Sequence, residues 1–171
     1  MINLDDFIRD VPDFPKPGIV FKDITPLLAA PEALKGAVEA MTRIAEELGA
    51  TRILGIESRG FIFGAPMACD MGLPFILARK PGKLPYDKVS VEYALEYGTD
   101  TLEMHVDSVS PGDKVVIVDD LLATGGTAAA VCRLVEEQGA EVAGVVVAIE
   151  LEFLSGAERL APRPVLSLLK Y

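Results

Sequence analysis

Tryptophan is absent from this 171-residue chain, and histidine occurs only once and cysteine twice. Each scarcity removes a class of function. His105 alone cannot build a histidine metal cluster, and no Ser/His/Asp pattern surrounds it, so it is expected to be structural or exposed. Cys69 and Cys132 lie far apart, with no CxxC and no disulfide framework, and each is expected to be a small buried apolar residue. That usage fits a reducing, cytoplasmic setting. The apolar runs are far too short to span a bilayer, so no membrane partner is expected. The first residues lack a basic region followed by an apolar core, so no signal peptide is expected either. Acids outnumber bases, 26 against 16, for a formal net charge of −10. Nucleic acid needs a basic stripe, and none is present. Tyr86, Tyr93 and Tyr97 form no aromatic ladder for bases.

Half of the residues are hydrophobic, enough for one domain over 1–171 with a real core. Residues 1–30 read as irregular, broken by Pro12, Pro15, Pro17, Pro26 and Gly18, with a short helix near 2–8. Leu34, Val38, Met41, Ile44 and Leu48 recur at helical spacing, between Pro31 at the start and Gly49 at the stop. Strands are expected at 52–56, 74–78, 114–118, 142–149 and 165–169. Helices are expected from about 60 to Gly72, 126 to 138 and 155 to 160. This alternation predicts an α/β fold, a mostly parallel twisted sheet flanked by helices. Residues 79–106 stand apart. A basic loop with Arg79, Lys80, Lys83 and Lys88 against one acid, Asp87, leads to a hairpin around Gly98. It reads either as a lid over a site or as a mobile surface loop.

The chemistry concentrates in Asp119-Asp120-Leu121-Leu122-Ala123-Thr124-Gly125-Gly126-Thr127, which follows the apolar run 115–118. A strand that ends in acids and feeds a Gly-rich turn into a helix gathers free N–H groups and the positive end of a helix dipole. That arrangement suits a phosphate. The acids suit ribose hydroxyls, or a hydrated Mg²⁺ that already carries phosphates. No Lys follows the glycines, so this is not a Walker loop, and Gly-x-Gly-x-x-Gly does not fit. Residues 53–63 repeat the logic: a short strand, the turn Glu57-Ser58-Arg59-Gly60, then a helix. This is a second candidate anion site, although Arg59 could equally be a surface cation.

The Asp-Asp…Thr-Gly-Gly-Thr stretch resembles the phosphoribosyl-pyrophosphate (PRPP) signature of type I phosphoribosyltransferases. Three further stretches resemble the adenine phosphoribosyltransferases within that family: Phe14 to Pro26, Gly55 to Gly64, and Arg79 to Pro85 with Ser90 to Gly98. The resemblance runs from about residue 1 to 155. It implies the type I fold, with an N-terminal hood (1–30) and a flexible lid (79–106). It also implies transfer of 5-phosphoribosyl from PRPP to adenine, giving AMP and pyrophosphate in purine salvage, with Mg²⁺ as cofactor and a homodimer. Asp119 and Asp120 would hold the ribose, and Ala123, Thr124, Gly125, Gly126 and Thr127 the 5′-phosphate. Glu57, Ser58, Arg59, Gly60, Arg79, Lys80 and Lys83 would meet pyrophosphate, and a cis peptide is expected at Glu57–Ser58. Val20, Phe21 and Lys22 would line the adenine pocket, with Leu151 on the other side of the ring. Asp119, Asp120, Arg59 and Glu96 form the implied catalytic set, and Tyr97 would close over the site. Lys22 stands where many members carry Arg, which keeps the charge but loses the planar fork. An oxopurine-specific enzyme and a non-catalytic PRPP sensor remain open at this stage.

Glu96 is the candidate acid/base near the base nitrogens. Glu96→Gln is therefore expected to lower the single-turnover rate by roughly 10²-fold. A rapid-quench measurement that finds a near-normal rate removes the acid/base role.

Overall fold

The computed structural model describes residues 2–94 and 98–171. They form two compact units, residues 1–40 and 41–171. In the first unit, a short 3₁₀ helix over Leu4–Phe7 precedes an antiparallel pair, β1 (Arg9–Pro12) with β2 (Val20–Asp23), and then helix α1 (Thr25–Ala29). The sequence predicts an irregular region here apart from the short helix. The two strands were hidden because each has only four residues, several of them charged, and β1 ends in a proline. Helix α2 (Pro31–Glu47) crosses the boundary between units; Ala33, Ala37, Met41 and Ala45 mark its buried stripe.

The second unit is built on a five-stranded sheet in the order β4-β3-β7-β8-β9, with every neighbouring pair parallel. These strands are β3 (Arg52–Ile56), β4 (Phe75–Ala78), β7 (Lys114–Leu122), β8 (Glu141–Glu150) and β9 (Val165–Lys170). Val115 to Val118 are all buried, as expected of a central strand covered on both faces. Helix α3 (Gly60–Met71) joins β3 to β4, α4 (Gly126–Glu137) joins β7 to β8, and α5 (Gly156–Leu160) precedes β9. Between β4 and β7 lies the antiparallel hairpin β5 (Lys88–Ala94) with β6 (Thr99–His105).

β7 runs four residues beyond the expected strand, because Leu121 and Leu122 keep pairing with Ile149 and Glu150 of the equally long β8. The two acids thus sit on a strand, not in the loop after it. Cys132 is buried, and burial pushes its thiol up to about 11. Cys69 corrects the expectation of burial: it lies exposed near the C-terminal end of α3. A nearly all-apolar helix gives no polar face from which to tell inside from outside.

From β3 the chain moves to β4 on one side, and from β7 to β8 on the other. The switch point, where open α/β sheets hold their ligands, is therefore between the carboxyl ends of β3 and β7. Gly60 brings the two together. A Cβ at Gly60 would lie 2.4 Å from the Val118 carbonyl oxygen and 3.3 Å from Asp119. Gly60→Ala must push α3 off β7. It is expected to cost about 1–3 kcal/mol, lowering Tm by roughly 2–4 °C per kcal/mol in a thermal melt.

Candidate active site

A cavity of about 310 Å³ opens at this switch point. Its wall holds Glu57, Ser58 and Arg59 from the turn after β3, Asp119 and Asp120 from β7, and Ala123 to Thr127 from the turn into α4. Lys80, after β4, and Tyr93 and Asp100, from the hairpin, complete its charged and polar lining.

The first turn carries a cis peptide at Glu57–Ser58, as the sequence led us to expect. Glu57 does not present its carboxylate to open space. It accepts hydrogen bonds from Arg79 Nε and Nη2, each at 3.2 Å, and from the Lys80 backbone N–H at 2.9 Å. Burial works against its ionisation. The Lys80 N–H and the Arg79 guanidinium outweigh burial and hold the carboxyl below its ordinary range. This fork ties the turn after β3 to the turn after β4. Arg79, Lys83, Gly60 and Leu151 are not on the cavity wall. Arg79 is committed to Glu57, with Nη1 3.4 Å from the Lys83 carbonyl. Val20, Phe21 and Lys22 belong to the 1–40 unit, where Lys22 Nζ lies 2.6 Å from Asp10 Oδ1. Glu96 and Tyr97 lie outside the described residues.

Asp120 is 3% exposed and pairs through Oδ2 with Arg59 Nε at 3.0 Å. Asp119 Oδ1 accepts the Asp120 backbone N–H at 2.9 Å. Burial, then the like charge of Asp120, raises the Asp119 carboxyl well above its ordinary value. Burial raises Asp120 as well, against the pull of Arg59. Two adjacent acids in a poorly solvated wall are an unfavourable arrangement when empty, and a favourable one for a ligand that brings hydroxyl donors or a cation.

The loop into α4 offers the complementary chemistry. Gly125 precedes the helix at φ +78°, and among the described residues no side chain caps the helix start. Its first N–H groups are available to an anion. A Cβ at Gly125 would lie 2.5 Å from the Gly156 carbonyl oxygen, and one at Gly156 would lie 2.1 Å from that of Ala123. The loop thus rests directly on the start of α5, and only glycine permits it.

Tyr93 and Asp100 escaped the sequence reading. They are cross-strand partners in the β5–β6 hairpin. The hairpin is legible from Gly98, but the register that sets Tyr93 against Asp100 is fixed by pairing along both strands, which the sequence does not show. His105 accepts the Tyr86 N–H at 3.3 Å, a structural role as expected. Among the described residues, no cluster of three or more His, Cys, Asp or Glu could hold a metal ion.

A profile of the phosphoribosyl transferase domain matches residues 23–163. The adenine phosphoribosyltransferase of Nitrosococcus oceani is 56% identical over 164 residues, which is 96% of both chains. The crystal structure of the Thermoanaerobacter pseudethanolicus adenine phosphoribosyltransferase superposes with a TM-score of 0.94 at 48% identity, covering 99% of this chain and all of that one. That of Saccharomyces cerevisiae, complexed with adenine and an imino-altritol bisphosphate, superposes with a TM-score of 0.92 at 37% identity, covering 97% and 96%. This chain belongs to the adenine phosphoribosyltransferase family. For a member of that family, the cavity joins acids, an uncapped helix start and a cationic turn, which are the groups a phosphorylated sugar requires.

The acid pair makes a stability prediction. A carboxyl whose folded pKa is raised destabilises the fold as it ionises, so its contribution falls as pH rises from the ordinary carboxylate value through the raised one. Asp119→Asn removes the like charge and keeps the acceptor for the Asp120 N–H. It is expected to raise stability by about 1 kcal/mol, or roughly 2–4 °C in Tm, at pH 8, with a smaller gain at pH 5. Turnover is expected to fall. Melts at the two pH values check the sign, and an equal gain at both would exclude the titration.

Proposed function

We propose that this protein transfers the 5-phosphoribosyl group of PRPP to adenine, forming AMP and releasing pyrophosphate. The observation that supports it best is one cavity walled by Asp119 and Asp120, the uncapped start of α4 and the cis turn Glu57–Ser58. In this reading the backbone N–H groups and hydroxyls of residues 123–127 hold the 5′-phosphate. Asp119 and Asp120 accept the ribose hydroxyls. Ser58, Arg59 and Lys80 face the pyrophosphate. The resemblance implies adenine contacts for Val20, Phe21, Lys22 and Leu151.

The reaction breaks the C1′–oxygen bond to pyrophosphate and forms C1′–N9, and the N9 proton leaves. The barrier lies in the positive charge at C1′ and the negative charge on the leaving group. Fixed acids and cations on opposite parts of one wall suit both, and cost no reorganisation at the moment of reaction. The donor set fits Mg²⁺ as a substrate-borne ion: the Asp119–Asp120 pair supplies the one or two carboxylates that such an ion takes alongside phosphate oxygens. When bound, it would neutralise charge on the leaving group. In this reading the segments 79–94 and 98–106 serve to exclude water that would otherwise hydrolyse PRPP.

Adenine is favoured over an oxopurine by Lys22. The ammonium that would select a carbonyl pairs with Asp10 at 2.6 Å. The working form is a homodimer in this reading: Ile62 of α3 and Leu77 of β4 are exposed apolar residues that a second copy would cover. No helix among the described residues is long and apolar enough to cross a membrane, and two free thiols suit the cytoplasm.

The test incubates the purified protein with PRPP, Mg²⁺ and adenine, guanine, hypoxanthine or xanthine separately, and follows nucleotide by chromatography. AMP from adenine alone is expected. Product from an oxopurine would overturn the base assignment, and no product from any base would favour a PRPP sensor.

A further inference from the structure

The cations on the cavity wall each meet a carboxylate, but the two pairs are built differently. Arg59 pairs with the buried Asp120. Lys80 pairs with Asp100, Nζ to Oδ2 at 3.1 Å, with side chains 58% and 24% exposed. Asp100 has holders of its own. Its Oδ1 accepts the Thr101 N–H at 2.9 Å, and the hydroxyl of the buried Tyr93 lies 3.4 Å from Oδ2. The Tyr93 hydroxyl in turn lies 3.5 Å from Thr127 Oγ1 in the first turn of α4. The Thr101 N–H, followed by Lys80 and Tyr93, holds the Asp100 carboxyl below its ordinary range, so the pair is ionised. Glu57 holds the Lys80 backbone in place, while its side chain is a long flexible stem. The ammonium can therefore leave Asp100 without stranding the carboxylate, which keeps an N–H, a hydroxyl and solvent.

We propose that Asp100 is a positioning residue that acts through Lys80. It parks the ammonium at the cavity wall, yields it to the entering pyrophosphate group, and takes it back as pyrophosphate departs. This rests on the reading above that Lys80 faces pyrophosphate. The physical consequence is a weakened grip. A carboxylate that competes for Lys80 lowers the affinity of the site for a polyanion, and so favours release of that product. Adenine, which is neutral, does not sense the exchange.

The experiment titrates inorganic pyrophosphate with Mg²⁺ into the full chain by calorimetry. Asp100→Asn removes the competing charge at the same size and is expected to bind pyrophosphate roughly two- to fivefold more tightly, the scale of one partly exposed ion pair. Asp100→Ser is expected to match it, and Asp100→Glu to restore the wild-type affinity. In a Lys80→Gln background the Asp100→Asn gain should shrink, because the effect runs through the ammonium. In steady state the KM for adenine should hold while inhibition by pyrophosphate strengthens. Unchanged or weaker pyrophosphate binding in both Asp100→Asn and Asp100→Ser overturns the proposal, as does a full gain in the Lys80→Gln background. Turnover is read separately: the expected binding pattern in a protein that makes no AMP would uphold the exchange and sink the reaction.

Discussion

The parallel pairing of β3 with β7 is the constraint on which the site depends. Their register, Ile53 against Val116 through Gly55 against Val118, sets two strand–turn–helix units side by side with carboxyl ends level. Each turn alone offers one anion-binding feature. Together they frame a cavity with acids between two cationic or N–H-rich turns. The pairing works only because Gly60 lets the start of α3 touch the backbone of β7 beside Asp119. A side chain there would separate the turn that holds Arg59 from the strand that holds Asp120, and so break the ion pair at the centre of the site.

Around that frame, charge is arranged in local pairs: Glu57 with Arg79, Asp120 with Arg59, and Asp100 with Lys80. The first braces neighbouring turns, and the second sits in a wall where an isolated carboxylate would be costly. For Asp119, burial and the like charge of Asp120 outweigh the pull of Arg59, and its carboxyl stays well above its ordinary value. The local pattern also explains how a chain of net charge −10 can suit an anionic substrate. Across a cavity this small, the few nearest groups decide the field, while distant surface charge is screened by salt.

Much of this was legible in the sequence. β-branched runs, glycine stops and helical spacing gave the sheet strands and the main helices, because each rests on a short-range periodicity. The motif 119–127 carried its meaning in consecutive residues, and so did the turn 57–60. What stayed hidden depends on pairing between distant or weakly patterned segments. The β1–β2 pair is too short and too charged to show alternation. β7 is prolonged by β8, not by its own composition. Tyr93 and Asp100 gain their place from hairpin register. Arg79 reads as a cation of the basic loop, and only the neighbouring strand reveals its fork with Glu57.

The contact between Gly125 and Gly156 has a consequence for how this site could change. The phosphate loop has α5 as its floor, with carbonyl oxygens where side chains would have to fit. Its shape is therefore cast by a segment some thirty residues further along the chain. A loop remodelled to take a bulkier or differently charged sugar could not be obtained by substitutions within 123–127 alone. The floor would have to be rebuilt with it, so evolution or design that retargets such a protein is channelled toward the base-reading and lid segments, while the sugar-phosphate end stays as it is.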